Sequence, residues 1–270
     1  MISINWTDYI FLRNIEGKPH QIFKHKNTGE QKFVKFLRLN NYERTKELVS
    51  EFLANKIFFA MNIEGLNPFV AIKEGKPVIV MDYWMDTRKL APFGEVRIEN
   101  REYFAAALYL IDVLVKNTNR ATRRDHMGWK ETDSGEIRLC PLDNGHTLGH
   151  GSGDDALLND DDLISIQLIK DQYQQHFSSI LSPLQAVAVE QTIQRLDTLN
   201  FQVMGEEIIS EIITSLAPTD EEVIIIRNRI NSVIEMLLRR KPKACEIFRQ
   251  IISSAPLVES QANVEIAVAK

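Results

Sequence analysis

The sequence predicts an α+β fold of two lobes, a small β-rich lobe with one helix followed by a larger α-helical lobe. Residues 1–84 carry β-branched and aromatic runs that turn residues interrupt at short intervals. Residues 85–252 are dominated by helical spacing of apolar residues, and from Asp160 onward almost every segment shows it. Residues 253–270 have no strong pattern and are predicted to be a tail. A chain of 270 residues is long enough to form two lobes around one cleft.

The small lobe is predicted to begin with an antiparallel meander of strands. Residues 9–39 contain the strand-forming runs, which are broken by turn sequences at Gly17–Pro19 and Asn27–Gly29. Residues 41–63 then change to helical spacing, and residues 68–84 return to strand character. The predicted helix has an apolar stripe, with Glu47 and Lys56 off it, that consists of Leu48, Phe52, Ile57 and Met61.

The larger lobe is predicted to begin with an apolar core helix at residues 100–117. A polar loop at residues 115–129 follows this helix, and residues 136–149 are predicted to form a strand pair and a turn. The remainder of the lobe is predicted to be helical. Two helix starts carry recognisable signals, namely Ser182–Pro183 and the capping-box pair Thr219 and Glu222.

Composition excludes several classes of protein. The formal net charge of −5 disfavours a general nucleic-acid coat or an anionic-membrane binder, and leaves only a local basic patch at Arg120–Arg124 for nucleic acid. The two cysteines, Cys140 and Cys245, form neither a disulfide framework nor a zinc motif. The first residues have no basic segment followed by an apolar core, so we expect no signal peptide, and no run approaches 18 apolar residues. We therefore expect a cytoplasmic protein without a membrane partner.

Lys35 and Glu51 are the first candidate site residues. Strand alternation places Phe33 and Lys35 on one face of "QKFVKFL". A strand lysine of this kind is either solvent-facing or directed at nucleotide phosphates, in which case it needs a carboxylate partner. Glu51, in the next helix, is either a solvated surface group or that partner. A lysine strand followed by a glutamate helix is the order of the small lobe of protein kinases.

Asp143 is the third candidate, at the end of the apolar run "IRLCPL" and before Asn144-Gly145. Asn-Gly is the strongest signal for a tight hairpin turn, which gives a purely structural interpretation. The alternative is a metal-binding aspartate at a strand end, with the glycine allowing a sharp turn. The sequence leaves both open.

The polar loop "VKNTNRATRRDHMGW" at residues 115–129 is the fourth candidate. It contains three arginines and a lysine but no apolar run, so it is either a solvated connector or a site. It lies after a core helix and one strand before Asp143. Kinases place their catalytic aspartate in this position and, five residues later, an asparagine on the second magnesium.

The order of "FVKF", "LVSEFLANKI", "VIVMDYW", "LIDVLVKNTNR" and "CPLDNG" resembles the HipA-like branch of the kinase superfamily, especially its stand-alone HipA-like domains. The late segment "SLAPTDEEVIIIRNRINSVIEMLLRR" is similar to the C-terminal helices of that family, and the resemblance covers about residues 11–240. It implies a two-lobed protein-kinase-like fold, ATP and Mg²⁺ as cofactors, and phosphoryl transfer to a serine or threonine of a protein.

The resemblance also implies roles for individual residues. Lys35 would hold the α- and β-phosphates with Glu51 as its anchor, and Asp143 would bind magnesium. The segment around Gly17 would cover the phosphates, although it carries one glycine where many kinases carry three. The hinge beside the adenine would consist of Met81, Asp82 and Tyr83.

The polar loop departs from the family pattern, which usually reads Asn-x-Asp-Arg. Here Asn119 stands at the catalytic aspartate position, and an amide cannot accept a proton as a carboxylate does. The metal-binding asparagine falls on Arg124, or on His126 if the loop has a two-residue insertion. Asp125 is the carboxylate available to replace the missing one. The resemblance also suggests that Arg120, Arg123 and Arg124 bind phosphates or an acidic partner.

Two functions from different classes follow. The first is a HipA-like kinase acting on a protein substrate. The second is a pseudokinase, which binds a protein partner through the arginine loop and the acidic segment after Asp143. In that segment His146 and His150 are interpreted as polar loop residues, and the aspartates from Asp154 to Asp162 as a solvated run with helix N-terminal charge.

Overall fold

The computed structural model describes residues 4–15, 18, 20–37, 41–87, 97–115, 117, 119–144, 147–148, 166–177, 181 and 184–253. Within them the predicted α+β fold is confirmed, with a β-rich N-terminal region and a helical C-terminal region. The predicted helix start at Ser182–Pro183 lies outside these residues, and the described helix there begins at Ala186.

The small lobe is built on one antiparallel sheet with the strand order β1-β2-β3-β5-β4. The first three strands form the predicted meander, and helix α1 connects β3 to β4. The elements are β1 (Tyr9–Asn14), β2 (Gln21–His25), β3 (Gln31–Phe36), α1 (Asn41–Ala60), β4 (Phe69–Lys73) and β5 (Lys76–Asp82), preceded by a 3₁₀ turn at Trp6–Asp8.

The larger lobe contains a second sheet of three short strands, in the order β6-β7-β8, and the remaining helices. Its strands are β6 (Met85–Asp86), β7 (Met127–Glu131) and β8 (Ile137–Pro141). Its helices are α2 (Arg101–Leu114), α3 (Asn119–Thr122), α4 (Ile166–Phe177), α5 (Ala186–Asp197), α6 (Phe201–Leu216) and α7 (Asp220–Ser253), with a 3₁₀ turn at Arg124–His126.

The two faces of β3 are buried in different clusters, as its alternation predicts. Val34 packs with Phe36 in a small cluster on one face of the sheet, whereas Phe33 packs against the main core on the other face. Lys35 shares the face of Phe33 by alternation, and it is buried as well. Strand β3 therefore directs a charged side chain inward, toward the larger lobe.

Helix α1 carries Leu48, Phe52 and Ile57 of the predicted apolar stripe into the main core, and Met61, directly after the end of the helix, is buried there as well. The same core cluster includes residues of α2, α5, α6 and α7, so one core extends across both lobes. It buries α1 against the larger lobe rather than leaving it as a peripheral helix.

The long helix α7 begins with the predicted capping box. The amide of Thr219 donates to Glu222 Oε2 at 3.0 Å, and the amide of Glu222 donates to Thr219 Oγ1 at 3.3 Å. No helix in the described part of the chain is both long and apolar enough to cross a membrane.

Candidate functional site

Lys35 forms the ion pair with Glu51 that the order of strand and helix predicts. Its Nζ lies 2.7 Å from Glu51 Oε1 and 2.9 Å from Glu47 Oε1. Burial alone would lower the pKa of Lys35, but Glu51 and Glu47 hold that pKa above its ordinary value. The lysine is therefore a buried ammonium fixed between two carboxylates, not a solvent-facing strand residue.

Glu47 is a site residue that the sequence did not reveal. The helical pattern places it off the apolar stripe, and it is nevertheless buried because it pairs with Lys35. Glu47 and Glu51 are four residues apart, so they project from the same face of α1. That spacing, beside a strand lysine, is the signal that could have found it.

Helix α1 also makes two polar contacts with the larger lobe close to this pair. Ser50 Oγ donates to the carbonyl oxygen of Thr147 at 2.9 Å, and Arg44 forms an ion pair with Glu222 at 2.6 Å. Because Ser50 precedes Glu51, the contact with Thr147 ties the paired carboxylate to the segment that follows Asp143.

Asp143 lies two residues beyond the end of β8, with a backbone φ of 52°. Asparagine and aspartate are the non-glycine residues that adopt this left-handed conformation most readily. The turn is thus made at Asp143 itself, while Gly145 lies outside the described residues. The Asp143 carboxylate is about one-fifth exposed, with Oδ2 3.9 Å from Lys18 Nζ.

His126 is the loop residue that stands beside Asp143. Its Nε2 lies 3.4 Å from Asp143 Oδ2, and the side chain is buried. Burial, opposed by the nearby Asp143, lowers the pKa of His126 to about 4. The imidazole is therefore neutral near pH 7, the form that ligates metals. Arg124, the other candidate for this position, instead donates to the carbonyl oxygen of Thr87 at 3.0 Å.

The positions of Asn119 and Asp125 explain what the loop offers chemically. Asn119 is exposed at the first residue of α3. Asp125 forms a two-pronged ion pair with Arg123, at 3.3 Å to Nε and 2.9 Å to the terminal nitrogen. The carboxylate predicted to replace the missing base is thus already engaged by an arginine two residues earlier.

Arg120 corrects the prediction of an exposed basic patch at Arg120–Arg124. Its side chain is fully buried and donates to the carboxylate of Asp112 and to Asn144 Oδ1. Tyr173 donates its hydroxyl hydrogen to the same carboxylate. An arginine held in this way cannot contact phosphates or an acidic partner at the surface, so that prediction is wrong for Arg120. Its position links α2, α4 and the residue after Asp143.

Burial and charge pairing act against each other in the network around Arg120. Burial raises the pKa of Asp112, and Arg120 and Tyr173 oppose that rise. Arg120 also stacks on the ring of Phe58, with 5.2 Å between its guanidinium carbon and the ring centroid. The arginine at this loop position therefore serves the packing of the lobe.

The predicted hinge residues lie where β5 ends and the chain crosses to the second sheet. The amide of Asp82 donates to the carbonyl oxygen of Leu66 at 2.9 Å, and that of Tyr83 donates to Gln31 at 3.1 Å. The Asp82 carboxylate accepts from Lys32 at 2.7 Å. These two amides are therefore not free to donate to an adenine ring. The backbone carbonyl oxygens of the predicted hinge are the groups considered for a contact with adenine.

His20 is a further residue of this region that the sequence did not single out. It follows the covering segment, and its ring stands edge-on to Phe33 with 5.5 Å between centroids. Burial, helped by Lys35 and Lys18, lowers the pKa of His20 to about 4. Gly17, His146, His150 and the aspartates 154, 155 and 160–162 lie outside the described residues.

Taken together, β3, α1 and the end of β8 bring the Lys35 ammonium within electrostatic reach of the carboxylates of Glu47, Glu51 and Asp143. The charge of Asp143 acts on the pKa values of both Lys35 and Glu51, and it raises both. No cluster of three or more metal-ligating His, Cys, Asp or Glu side chains occurs within the residues that the structure covers. A cation held by Asp143 and His126 would complete its shell with water or phosphate oxygens, as Mg²⁺ commonly does.

Comparison with known proteins supports the fold. No family model matches the chain, and no curated protein sequence matches it. Among solved structures, the chain is similar to the proinflammatory kinase CtkA of Helicobacter pylori, with a TM-score of 0.50 and 14% identity over 91% of this chain and 99% of that chain. This likeness confirms the protein-kinase-like fold that the sequence predicts.

Two further structures are less similar. The Rio2 kinase of Chaetomium thermophilum, solved as an ADP/Mg²⁺-phosphoaspartate complex, has a TM-score of 0.43 and 13% identity over 85% of this chain and 72% of that chain. HipA of Shewanella oneidensis, solved with HipB and its operator DNA, has a TM-score of 0.41 and 10% identity over 90% of this chain and 66% of that chain.

Proposed function

We propose that the protein binds ATP with Mg²⁺ between its two lobes and transfers the γ-phosphoryl group to a serine or threonine of a protein. The observation that carries this proposal is the position of Lys35, buried between Glu47 and Glu51 and within electrostatic reach of Asp143. A buried lysine has no packing advantage over an apolar residue at this position. It does offer a rigid ammonium for phosphate oxygens.

In this proposal each residue has a distinct role. Lys35 binds the α- and β-phosphates, and the two carboxylates of α1 keep its ammonium in position. Asp143 and His126 hold the divalent cation, which neutralises charge on the phosphates when it is bound. The hinge at Met81–Tyr83 borders the adenine, whose amino group is recognised by a backbone carbonyl oxygen.

The transfer itself needs little covalent participation by the protein. The acceptor hydroxyl oxygen forms a bond to the γ-phosphorus as the bond from that phosphorus to the β-bridging oxygen breaks, leaving ADP. The hydroxyl proton passes to a carboxylate or to water. Asp125 is the loop carboxylate available for this proton, once it is released from Arg123.

A second candidate function is a pseudokinase that binds a protein partner. The loop favours this function, because Asn119 stands at the position of the family's catalytic aspartate. In addition, the Asp125 carboxylate is already paired with Arg123. In that case nucleotide would bind without turnover. We propose a cytoplasmic location for both candidates, and the free, buried Cys140 and Cys245 are compatible with a reducing compartment.

Calorimetric titration with ATP, with and without Mg²⁺, tests the proposal. The variant Lys35→Met should weaken ATP binding at least tenfold, because it removes a charged phosphate contact. Lys24→Met, at an exposed lysine of β2, is the matched control and should bind like the unaltered protein. The proposal would be overturned if ATP bound neither with nor without Mg²⁺. Binding without transfer of radiolabelled phosphate to any protein would favour the pseudokinase.

A further inference from the structure

We propose that the site formed by His126 and Asp143 binds Mn²⁺ in preference to Mg²⁺. This inference rests on the proposed function, in which a divalent cation accompanies the nucleotide. The inference goes beyond the proposed function because it names the cation and the nitrogen ligand that makes the site selective.

The two donor groups are close enough to share one cation. His126 Nε2 and Asp143 Oδ2 are 3.4 Å apart. Both can therefore reach one ion at a bond length of about 2.1 Å, since their separation is less than twice that length. The Asp143 carboxylate is part-exposed, so the remaining coordination positions are open to phosphate and water.

The backbone fixes this geometry. Strand β7 starts directly after His126, and its first residue, Met127, pairs with Pro141 of β8. The amide of Leu142 then donates to the carbonyl oxygen of His126 at 2.8 Å. The backbone at His126 is thus hydrogen-bonded to the residue immediately before Asp143. Backbone hydrogen bonds therefore hold the two donor residues next to each other.

The imidazole is not committed to another structural task in the described part of the chain. It is 3% exposed, and neither ring nitrogen has a hydrogen-bond partner among the described residues. A buried polar side chain without a partner is costly, so its retention calls for an explanation. Coordination by Nε2 provides one.

The chemistry of the donors then decides between cations. Mg²⁺ prefers oxygen ligands in a near-ideal octahedron, and kinases supply an asparagine oxygen at the second magnesium. Here His126 presents a nitrogen in the cleft instead. Imidazole is a ligand of first-row transition ions, whereas carboxylate, phosphate and water suit Mn²⁺ as well as Mg²⁺. Of the two ions, Mn²⁺ is the one that accepts the imidazole nitrogen together with these oxygen donors.

Electron paramagnetic resonance of Mn²⁺ tests this directly. Mn²⁺ alone, and Mn²⁺ with ADP, are added to the full chain, and pulsed spectra are examined for coupling to ¹⁴N of a directly bound imidazole. We expect that coupling, and its replacement by a ¹⁵N pattern in protein labelled with ¹⁵N-histidine. The labelled protein needs no substitution, so this readout does not depend on a variant that folds.

Variants then measure the selectivity. His126→Asn and His126→Gln restore an oxygen donor, and each should lower the ratio of Mn²⁺ to Mg²⁺ affinity by about tenfold or more. His176→Asn, at a histidine of α4, is the matched control and should leave the ratio unchanged. Thermal melts identify any variant that fails to fold.

The possible outcomes separate this inference from the proposed function. Mn²⁺ binding without nitrogen coupling, or an unchanged affinity ratio in both folded His126 variants, overturns the metal assignment while ATP binding stands. Nitrogen coupling in a protein that binds no ATP sustains the metal site and overturns the proposed function. Absence of Mn²⁺ binding, with and without ADP, overturns the inference outright.

Discussion

Glu47 Oε1 lies 2.9 Å from Lys35 Nζ, and Glu51, one turn further along α1, approaches the same nitrogen at 2.7 Å. The lysine is therefore balanced by two anions in a buried setting. Burial raises the pKa of Glu51, and Lys35 opposes this rise. The three groups form one electrostatic unit, in which the loss of a single carboxylate leaves Lys35 with a remaining partner.

Substitution of both glutamates should cost more stability than the two single changes together. Glu47→Gln or Glu51→Gln leaves Lys35 paired with the other carboxylate, so each single loss should be about 1 kcal/mol. The double variant leaves a buried ammonium unpaired, which costs about 3–5 kcal/mol or more. Urea unfolding measures the three variants. Glu30→Gln, at an exposed partner of Lys32, is the control, and an additive double variant would contradict the prediction.

The buried network of Arg120 should behave as a structural ion pair. Arg120→Met leaves the carboxylate of Asp112 without its cation, and we expect a loss of about 3–5 kcal/mol in the free energy of unfolding. Adding Asp112→Leu should recover most of that loss, because a buried pair can be replaced by apolar groups at little cost. Tyr173→Phe removes one hydrogen bond to a charged group and should cost about 1.5–3 kcal/mol.

Chemical denaturation of the single and double variants measures these effects. Arg123→Met is the matched control, because Arg123 belongs to the same loop but its side chain is half exposed. Its pair with Asp125 should contribute at most about 1 kcal/mol. If Arg120→Met and Arg123→Met were equally mild, Arg120 would not hold the lobe together.

Stability should fall as the pH is lowered from about 6.5 toward 4. The pKa values of His20 and His126 are lowered to about 4, below that of an ordinary histidine. Between these values the unfolded chain binds protons that the folded chain does not, so acid favours unfolding. Each histidine contributes a slope of up to about 1.4 kcal/mol per pH unit.

Unfolding free energies measured between pH 5 and 6.5 test this, because most carboxylates remain ionised in that window. His126→Asn should remove about half of the slope, and the further change His20→Asn should remove most of the rest. A slope that survived both site substitutions would show that other groups titrate.

The main axis of the site could be predicted from the sequence. Lys35 and Glu51 lie on successive elements whose periodicities are clear, so their faces follow from strand alternation and helical spacing. The capping box at Thr219 and Glu222 is equally local. Such features depend on neighbours within a few residues, and the fold then brings them together.

Which of the loop arginines has a buried side chain could not be predicted in this way. Arg120, Arg123 and Arg124 look alike in the sequence, yet only the first is fully buried. What distinguishes it is its contact with Asp112, whose carboxylate also accepts a hydrogen bond from Tyr173, more than fifty positions away in the chain. Burial of a charged side chain depends on partners that tertiary structure brings close to it. The local sequence pattern does not identify these partners.

Restoring a carboxylate at Asn119 tests whether its loss limits phosphoryl transfer. A general base is typically worth about 10² to 10⁴ in rate, and less where the transition state is loose. We therefore expect Asn119→Asp to raise phosphate incorporation, into the protein itself or a substrate, while Asn119→Ala leaves it unchanged. Because Asn119 is exposed, neither change should affect the thermal melt by more than a few degrees.

Asp125 provides the complementary experiment on the same loop. Asp125→Ala should lower any transfer that the natural sequence supports, because Asp125 is the loop carboxylate able to accept the hydroxyl proton. Arg123→Gln should have the opposite effect, since it releases Asp125 from the ion pair at 2.9 Å. Incorporation of radiolabelled phosphate, with ATP binding measured in parallel, reports both. If ATP binds to every variant while transfer stays at background in all of them, including Asn119→Asp, the loop is not a displaced catalytic loop and the protein acts as a binding module.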